Sequence, residues 1–294
     1  MTPHERHNLL KGLGFISPWA LGFLGLTLYP VASSLYWSFC DFDVLNDPLW
    51  IGTLNYRDMF MDGVFWKSLW NTLFFAAFAL PLGLVLSLLV AVMLNQPVPG
   101  RSVFRTIYFL PSMVPQVAVA MIWLWIFNGQ YGLLNYGLSH LGIEGPSWLG
   151  DKQWTKPALV LTSLWQTGGT IVIYLAALQD VPRSLYEAAD LDGAGPWARL
   201  RHVTIPLISP VIYFNLIMGI IGSLQVFVGP FIMLPGGGPD RSALFYAVYL
   251  YQNAFRDLNM GYACAMAWVL FLLIVALTWA ATRLTSRHVY YAGH

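Results

Sequence analysis

Residues 180–210 read DVPRSLYEAADLDGAGPWARLRHVTIPLISP, the longest soluble-looking stretch in an otherwise strongly apolar chain. Of the 294 residues, 57% are hydrophobic and only 10% are charged, and the mean hydropathy is +0.59. Ordinary soluble domains carry about 25% charged residues. Most of the outer surface must therefore face lipid. The net charge of +1 gives no reason to expect a nucleic-acid partner.

Apolar segments long enough to cross a bilayer occur six times. A membrane helix needs about 20 apolar residues, and none of the six interiors contains Asp, Glu, Lys, Arg or His. The segments run approximately over Leu13–Phe39, Ser68–Leu94, Thr106–Asn128, Pro157–Leu178, Ile205–Leu234 and Asn259–Thr282. Because backbone groups in hydrocarbon must bond within their own segment, the predicted fold is all-α, with six transmembrane helices. The first segment shows no small-residue cleavage site, which favours a retained span over a signal peptide.

The basic residues predict an orientation. Nine Lys and Arg residues fall on one side of the predicted spans and six on the other. The short loop 95–105 is more decisive, because it holds Arg101 and Arg105 and no acidic residue. The positive-inside rule places this loop, both termini and the 180–206 loop in the cytoplasm.

Polar residues and prolines interrupt three of the spans. Pro111 and Pro115 flank Ser112 and precede Gln116 in the third, and the fifth contains Gly219, Gly222, Ser223 and Gln225. The fourth contains the polar island Trp165-Gln166-Thr167-Gly168-Gly169-Thr170. Each proline can be a packing kink, and each amide can join two helices. Amides on several spans together favour a lined path, since an unpaired amide in hydrocarbon is costly.

The sequence lacks the residues with which a membrane protein could drive transport by itself. The spans hold no ionisable relay, and the pattern GxxxxGK[ST] does not occur. Scattered histidines and the absence of an acidic pair argue against an enzyme. Cys40 and Cys264 are far apart in sequence and are expected to be packed thiols.

The 180–206 loop is expected to form two short helices. Ser184 is a candidate N-cap with Glu187 at capping-box spacing, predicting a helix from Ser184 to about Leu191. Residues 192–196 predict a turn in which Gly193 supplies the permissive backbone. A second short helix is expected from Pro196 to Arg201 or His202, with Pro206 beginning the fifth span.

This loop resembles the EAA loop of ABC-importer permeases. The resemblance rests on Glu187-Ala188-Ala189, on Gly193 six residues after the glutamate, and on Val203, Ile205 and Pro206. Further similar blocks are Tyr29-Pro30, Phe104-Arg105, Leu110-Pro111 and 222–227, so that over 85% of the chain is similar to the first of two permease subunits of a sugar importer. The fold implied is a type I ABC-importer permease over residues 13–284, between cytoplasmic ends at 1–12 and 285–294.

The resemblance also implies sites. Contacts to the ATPase are expected at Glu187, Ala188, Ala189, Asp192, Gly193 and Arg199. Substrate-path residues are expected at Ser112, Gln116, Trp165, Gln166, Gly169, Gly219, Ser223 and Gln225.

The partners implied are a second permease, an ATPase homodimer that holds ATP and Mg²⁺, and a periplasmic or lipid-anchored solute-binding protein. This chain is expected to hold no cofactor and to lie in the bacterial inner membrane. The substrate implied is a sugar or oligosaccharide. Glycerol 3-phosphate or another polyol is the alternative substrate, and a self-sufficient facilitator or channel is the alternative class.

Overall fold

The computed structural model describes residues 3–97 and 99–285 and is mostly helical. The α-helices are α1 Pro3–Phe23, α2 Tyr29–Trp37, α3 Leu54–Met61, α4 Gly63–Asn95, α5 Arg101–Met113, α6 Gln116–Ile126, α7 Leu133–Ser139, α8 Thr155–Trp165, α9 Gly168–Gln179, α10 Arg183–Leu191, α11 Pro196–Arg199, α12 Ile205–Leu224, α13 Val228–Met233, α14 Tyr246–Tyr251 and α15 Met260–Thr285. The antiparallel strands β1 Cys40–Asp41 and β2 Leu49–Trp50 form one small ribbon. Except for Thr285, the predicted C-terminal segment 285–294 lies outside the described residues.

Four helical stretches are long and apolar enough to span a membrane, and two bent pairs bring the number to six among the described residues. The four are Arg6–Trp37, Gly63–Asn95, Pro196–Met233 and Met260–Thr285. The pair α5 and α6 is bent by 100°, and the pair α8 and α9 by 45°. Both bends fall where the sequence places prolines or paired glycines inside a span. The predicted all-α membrane fold is confirmed.

Two spans contain a π-helical turn shortly before a proline. Residues Leu24–Leu28 precede Pro30, and Leu200–Thr204 precede Pro206. A proline ring collides with the carbonyl four residues earlier in a regular α-helix. A wider turn relieves that collision and lets the helix continue. The expectation of a separate second helix, with the fifth span beginning at Pro206, is therefore wrong: α11 runs through the π turn into α12.

One compact unit comprises residues 1–62 and 250–271. The side chain of Asn55, on α3, holds the start of the ribbon in place. Its amide donates to the carbonyls of Ser38 at 3.0 Å and Cys40 at 2.8 Å. Trp268 Nε1 donates to Ser34 Oγ at 3.2 Å. Cys40 and Cys264 are buried free thiols, as predicted.

The second unit, the described residues of 63–249 and 272–285, is arranged around α4. This helix packs against α8, α9 and α12. One apolar core surrounds Phe75, Trp123 and Phe245, and a second surrounds Val90 and Tyr174. Asn71 on α4 also donates to the carbonyls of Arg241 at 3.0 Å and Leu244 at 3.1 Å, which holds the loop after α13.

Gly168, the first residue of α9, lies against α5. A Cβ added there would lie 2.6 Å from the carbonyl oxygen of Tyr108 and 2.9 Å from Ser112 Oγ. The neighbouring Gly169 would meet nothing within 4 Å. Glycine at 168 therefore allows the two helices to approach, whereas glycine at 169 does not serve that contact.

We expect Gly168→Ala to lower the free energy of unfolding by about 1–3 kcal/mol, because the added methyl group meets fixed backbone. The measurement is thermal or denaturant unfolding of the purified protein in detergent. Gly169→Ala is the matched control and should be neutral or slightly stabilising. Equal effects of the two substitutions would contradict the close contact between α5 and α9.

Candidate functional site

A cavity region lies between α4, α6, α8 and α12. It consists of two adjoining lobes of about 260 Å³ and 440 Å³, which share six lining residues. The shared residues are Phe75, Gln116, Ser163, Gln166, Gly222 and Val226. We call this space the central cavity.

Three glutamines at breaks in the helices contribute to the lining of the central cavity. Gln116 begins α6 after the 100° bend, Gln166 follows α8, and Gln225 follows α12. At each break a tight turn closes the backbone: Val114 N to Pro111 O at 3.2 Å, Gln166 N to Ser163 O at 3.2 Å, and Gln225 N to Gly222 O at 3.3 Å. Each break therefore retains a backbone hydrogen bond across its turn and supplies an amide side chain to the cavity.

The lining carries no charged side chain among the described residues. Besides the amides it offers the hydroxyls of Thr162 and Ser163 and the aromatic rings of Phe75 and Phe245. Amides and hydroxyls both donate and accept hydrogen bonds, and aromatic rings provide flat apolar faces. Such a surface suits an uncharged, hydroxyl-rich ligand.

The structure brings five of the predicted path residues to the cavity. Gly219 and Ser223 line the larger lobe, and Gln225 lines the smaller one, in addition to Gln116 and Gln166. Gly219 approaches Leu80 so closely that an added Cβ would lie 2.2 Å from Leu80 Cδ1.

Three predicted path residues lie outside the lining. Ser112 precedes the bend, and its hydroxyl donates to Phe109 O at 2.6 Å. Trp165 packs edge-on against Trp123, with ring centroids 6.1 Å apart. Gly169 follows the glycine that packs on α5, and it does not border either lobe.

Sequence reasoning assigned Gln166 of the fourth span to the path and missed four hydroxyl residues around it. Thr162, Gln166 and Thr170 follow one another at intervals of four, with Ser163 and Thr167 beside them, and all five line one lobe or both. Residues four apart share a helix face. This spacing was visible in the sequence and could have extended the predicted path.

The 180–206 loop begins with α10, which ends in a Schellman motif. The N–H of Ala194 donates to Ala189 O at 2.9 Å, and the N–H of Gly193 donates to Asp190 O at 3.1 Å. Gly193 has φ +73°, a conformation that glycine adopts without strain. The predicted capping box is wrong: Pro182 is the N-cap, no side chain caps the helix, and Ser184 lies inside it.

Several residues of this loop are exposed on the surface. Glu187 and Ala188 are exposed, as are Asp192 and Gly193, while Ala189 is half-buried. The Glu187 carboxylate makes no hydrogen bond or ion pair with any residue in the described part of the chain. Leu191 is 90% exposed and Trp197 is 71% exposed. A free carboxylate beside uncovered apolar side chains is a surface suited to a protein partner.

Two polar contacts join α10 to the base of the fifth span. Arg199 Nη1 donates to Asp190 Oδ1. Tyr186 and Thr204 share a hydrogen bond of 3.0 Å between their hydroxyl oxygens. Thr204 also reaches the carbonyl of Arg199 at 3.3 Å. The Arg199 side chain is therefore engaged within the loop, unlike the free carboxylate of Glu187.

A family model matches residues 45–289 of this chain, and its description is "Binding-protein-dependent transport system inner membrane component". The chain belongs to this family. It is a multi-pass membrane permease subunit of an ABC importer, and it is a transport subunit rather than an enzyme.

Two relatives align with this permease over most of its length. It is 38% identical over 290 residues to the probable ABC transporter permease protein YesP of Bacillus subtilis (strain 168), covering 97% of this chain and 94% of the relative. It is 36% identical over 266 residues to the sulfoquinovosyl glycerol transport system permease protein SmoG of Agrobacterium fabrum, covering 90% and 86%.

The fold is also found in a solved structure. One chain of a bacterial ABC transporter involved in the import of the acidic polysaccharide alginate matches with a TM-score of 0.84, 24% identity and 96% coverage of both chains. At this identity the match concerns the fold.

We expect Tyr186→Phe to loosen the attachment of α10, because it removes only the hydroxyl that bonds Thr204. Hydrogen exchange of the α10 backbone amides should accelerate about fivefold, the equivalent of one net hydrogen bond. Tyr213→Phe is the matched control, since it removes a 2.8 Å tyrosine–threonine bond to Thr282 elsewhere in the unit. If α10 exchanges equally fast in both variants, the contact does not hold the helix.

Proposed function

We propose that this permease carries a sugar or oligosaccharide across the bacterial inner membrane, after delivery by a periplasmic or lipid-anchored solute-binding protein. It would do so as one half of a heterodimer with a second permease. ATP and Mg²⁺ would bind to an ATPase homodimer on the cytoplasmic side, so that this chain needs no cofactor of its own. Both termini would be cytoplasmic, in keeping with the distribution of Lys and Arg.

The observation that carries the proposal is the uncharged lining of the central cavity, with glutamine amides from three broken spans. Sugars present many hydroxyls, each of which needs a hydrogen-bond partner once water is removed. The larger lobe, at about 440 Å³, has the size of an ordinary small-ligand site. The names of further relatives support this substrate class. One is the lactose transport system permease protein LacF of Rhizobium radiobacter, 34% identical over 281 residues.

A polyol phosphate is the second candidate substrate. The sn-glycerol-3-phosphate transport system permease protein UgpA of Yersinia pestis is 32% identical over 272 residues. A phosphate usually finds Arg or Lys in its site, because a charged donor compensates its lost hydration. The uncharged lining therefore favours the neutral sugar.

Glu187 is proposed to dock the ATPase, together with Ala188, Ala189, Asp192 and Gly193. Its carboxylate is exposed on α10 and has no partner within the described chain, which leaves it available to another subunit. Arg199 would contribute by holding Asp190, and hence α10, in place.

We expect Glu187→Lys to reduce ATP-driven uptake and ATPase co-purification at least about tenfold, because it reverses a charge at the proposed interface. Membrane insertion should be unchanged. Glu144→Lys, the same reversal at an exposed residue outside this loop, is the control. Normal assembly and uptake in Glu187→Lys would refute the docking role, and sustained flux by this chain alone would instead support a facilitator.

Gln166→Leu should impair uptake without impairing assembly, because an apolar side chain of similar size replaces an amide in the cavity. Loss of one or two hydrogen bonds to substrate predicts a rise in KM of about tenfold. Gln153→Leu removes the same amide from an exposed position outside the cavity and should leave KM unchanged. Unaltered kinetics in Gln166→Leu would assign the glutamine to packing.

A further inference from the structure

A second crevice, separate from the central cavity, opens between the end of α4 and the facing sides of α5 and α9. Its volume is about 450 Å³. The lining is mainly apolar and includes Phe109, Ile171, Val172 and Leu175. Ile171 and Leu175 are buried at its base, whereas Val172 is 44% exposed at its edge.

Arg105 is the charged residue in this lining. Its Nη2 donates to the carbonyl of Leu94 over a long distance of 3.4 Å, and its Nε is buried without a hydrogen-bond partner. Arg105 takes part in none of the ion pairs found among residues 3–97 and 99–285. A half-buried guanidinium with unused donors calls for an anion, because burial removes the water that would otherwise satisfy it.

The neighbouring groups reinforce the positive potential. Arg101 lies one turn before Arg105 on α5 and is exposed. The helix begins there after Gly100, which has no side chain to cap the first N–H groups. A helix N-terminus carries partial positive charge and attracts anions. No acidic residue lines the crevice among the described residues.

The length of the crevice matches one leaflet of a bilayer. Its lining on α9 extends from Gln179 at the end of the helix to Gly168 at its beginning. At about 1.5 Å per residue this distance is about 17 Å, close to half of the roughly 30 Å hydrocarbon core. Arg105 and Gln179, at the end of α9, mark one end of the crevice, and the apolar floor extends from there over a distance of about one leaflet.

We propose that this crevice binds an anionic phospholipid, with the phosphate at Arg105 and Arg101 and one acyl chain along Phe109, Val172 and Leu175. A basic group at the headgroup level, joined to an apolar groove of one leaflet's depth, complements such a lipid in both charge and length. The site does not depend on which solute the permease carries. The orientation proposed above serves only to assign the lipid to the cytoplasmic leaflet.

The test is photolabelling of the assembled importer in lipid nanodiscs. Phosphatidylglycerol with a photoreactive acyl chain should label peptides of α5 and α9, and phosphatidylcholine with the same chain should label them at least about fivefold less. Excess inorganic phosphate should not reduce the labelling, because the acyl chain contributes most of the binding. Competition by phosphate would overturn the proposal in favour of a soluble anion.

Variants at Arg105 test the contribution of the charge to lipid binding separately from that of the apolar groove. Arg105→Gln should reduce phosphatidylglycerol labelling about fivefold, and Arg105→Lys should reduce it less, because the charge remains. Arg283→Gln, which removes an equal charge near the end of α15, is the control and should have no effect.

Val172→Trp should fill the groove from its exposed edge while leaving Arg105 in place. Ile173→Trp, at a 40% exposed residue outside the lining, is the matched control and should label normally. Normal labelling in both Arg105→Gln and Val172→Trp would overturn the proposal. So would efficient cross-linking of a Val172→Cys variant to the second permease, since a protein would then cover the groove.

Discussion

Backbone groups that face hydrocarbon must find partners within the protein, and this constraint decides where the helices of this permease can break. The interruptions near Val114, Gln166 and Gln225 are each closed by a tight backbone turn, and each supplies a glutamine to the same cavity. A break elsewhere on a span would expose polar groups to lipid. The cavity and the breaks therefore depend on each other.

Much of the fold follows from the sequence, because a helix that crosses the membrane must be apolar over about 20 residues. Six charge-free apolar segments predicted the spans. The sequence did not predict the 100° bend before Gln116, because prolines mark a break while packing sets its angle. Nor did it predict that the helix continues through Pro206, since the π turn that accommodates the ring has no clear sequence signal.

The candidate sites were predictable to different degrees. Gln116, Gln166 and Gln225 were recognisable in the sequence, because an amide within an apolar span needs a hydrogen-bond partner or a polar cavity. Ser112 and Trp165 looked equally plausible, yet the Ser112 hydroxyl bonds its own helix and Trp165 packs on Trp123. Which way a side chain points depends on the rotation of each helix, and a single sequence does not determine it. Likewise, the sequence did not show that Arg199, a predicted ATPase contact, also pairs with Asp190 within the loop.

The continuous helix that begins the fifth span, before the break at Gln225, has a mechanical consequence. The helix that leaves the 180–206 loop continues through the π turn to Leu224, beside the cavity. The α-helical portion α12, with 20 residues, is about 30 Å long. It can act as a lever, so that a tilt of about 10° at the end nearer the 180–206 loop displaces the far end by about 5 Å. A displacement of that size beside the central cavity would change the space between its lining helices, so that a small rotation at the loop would be amplified at the cavity.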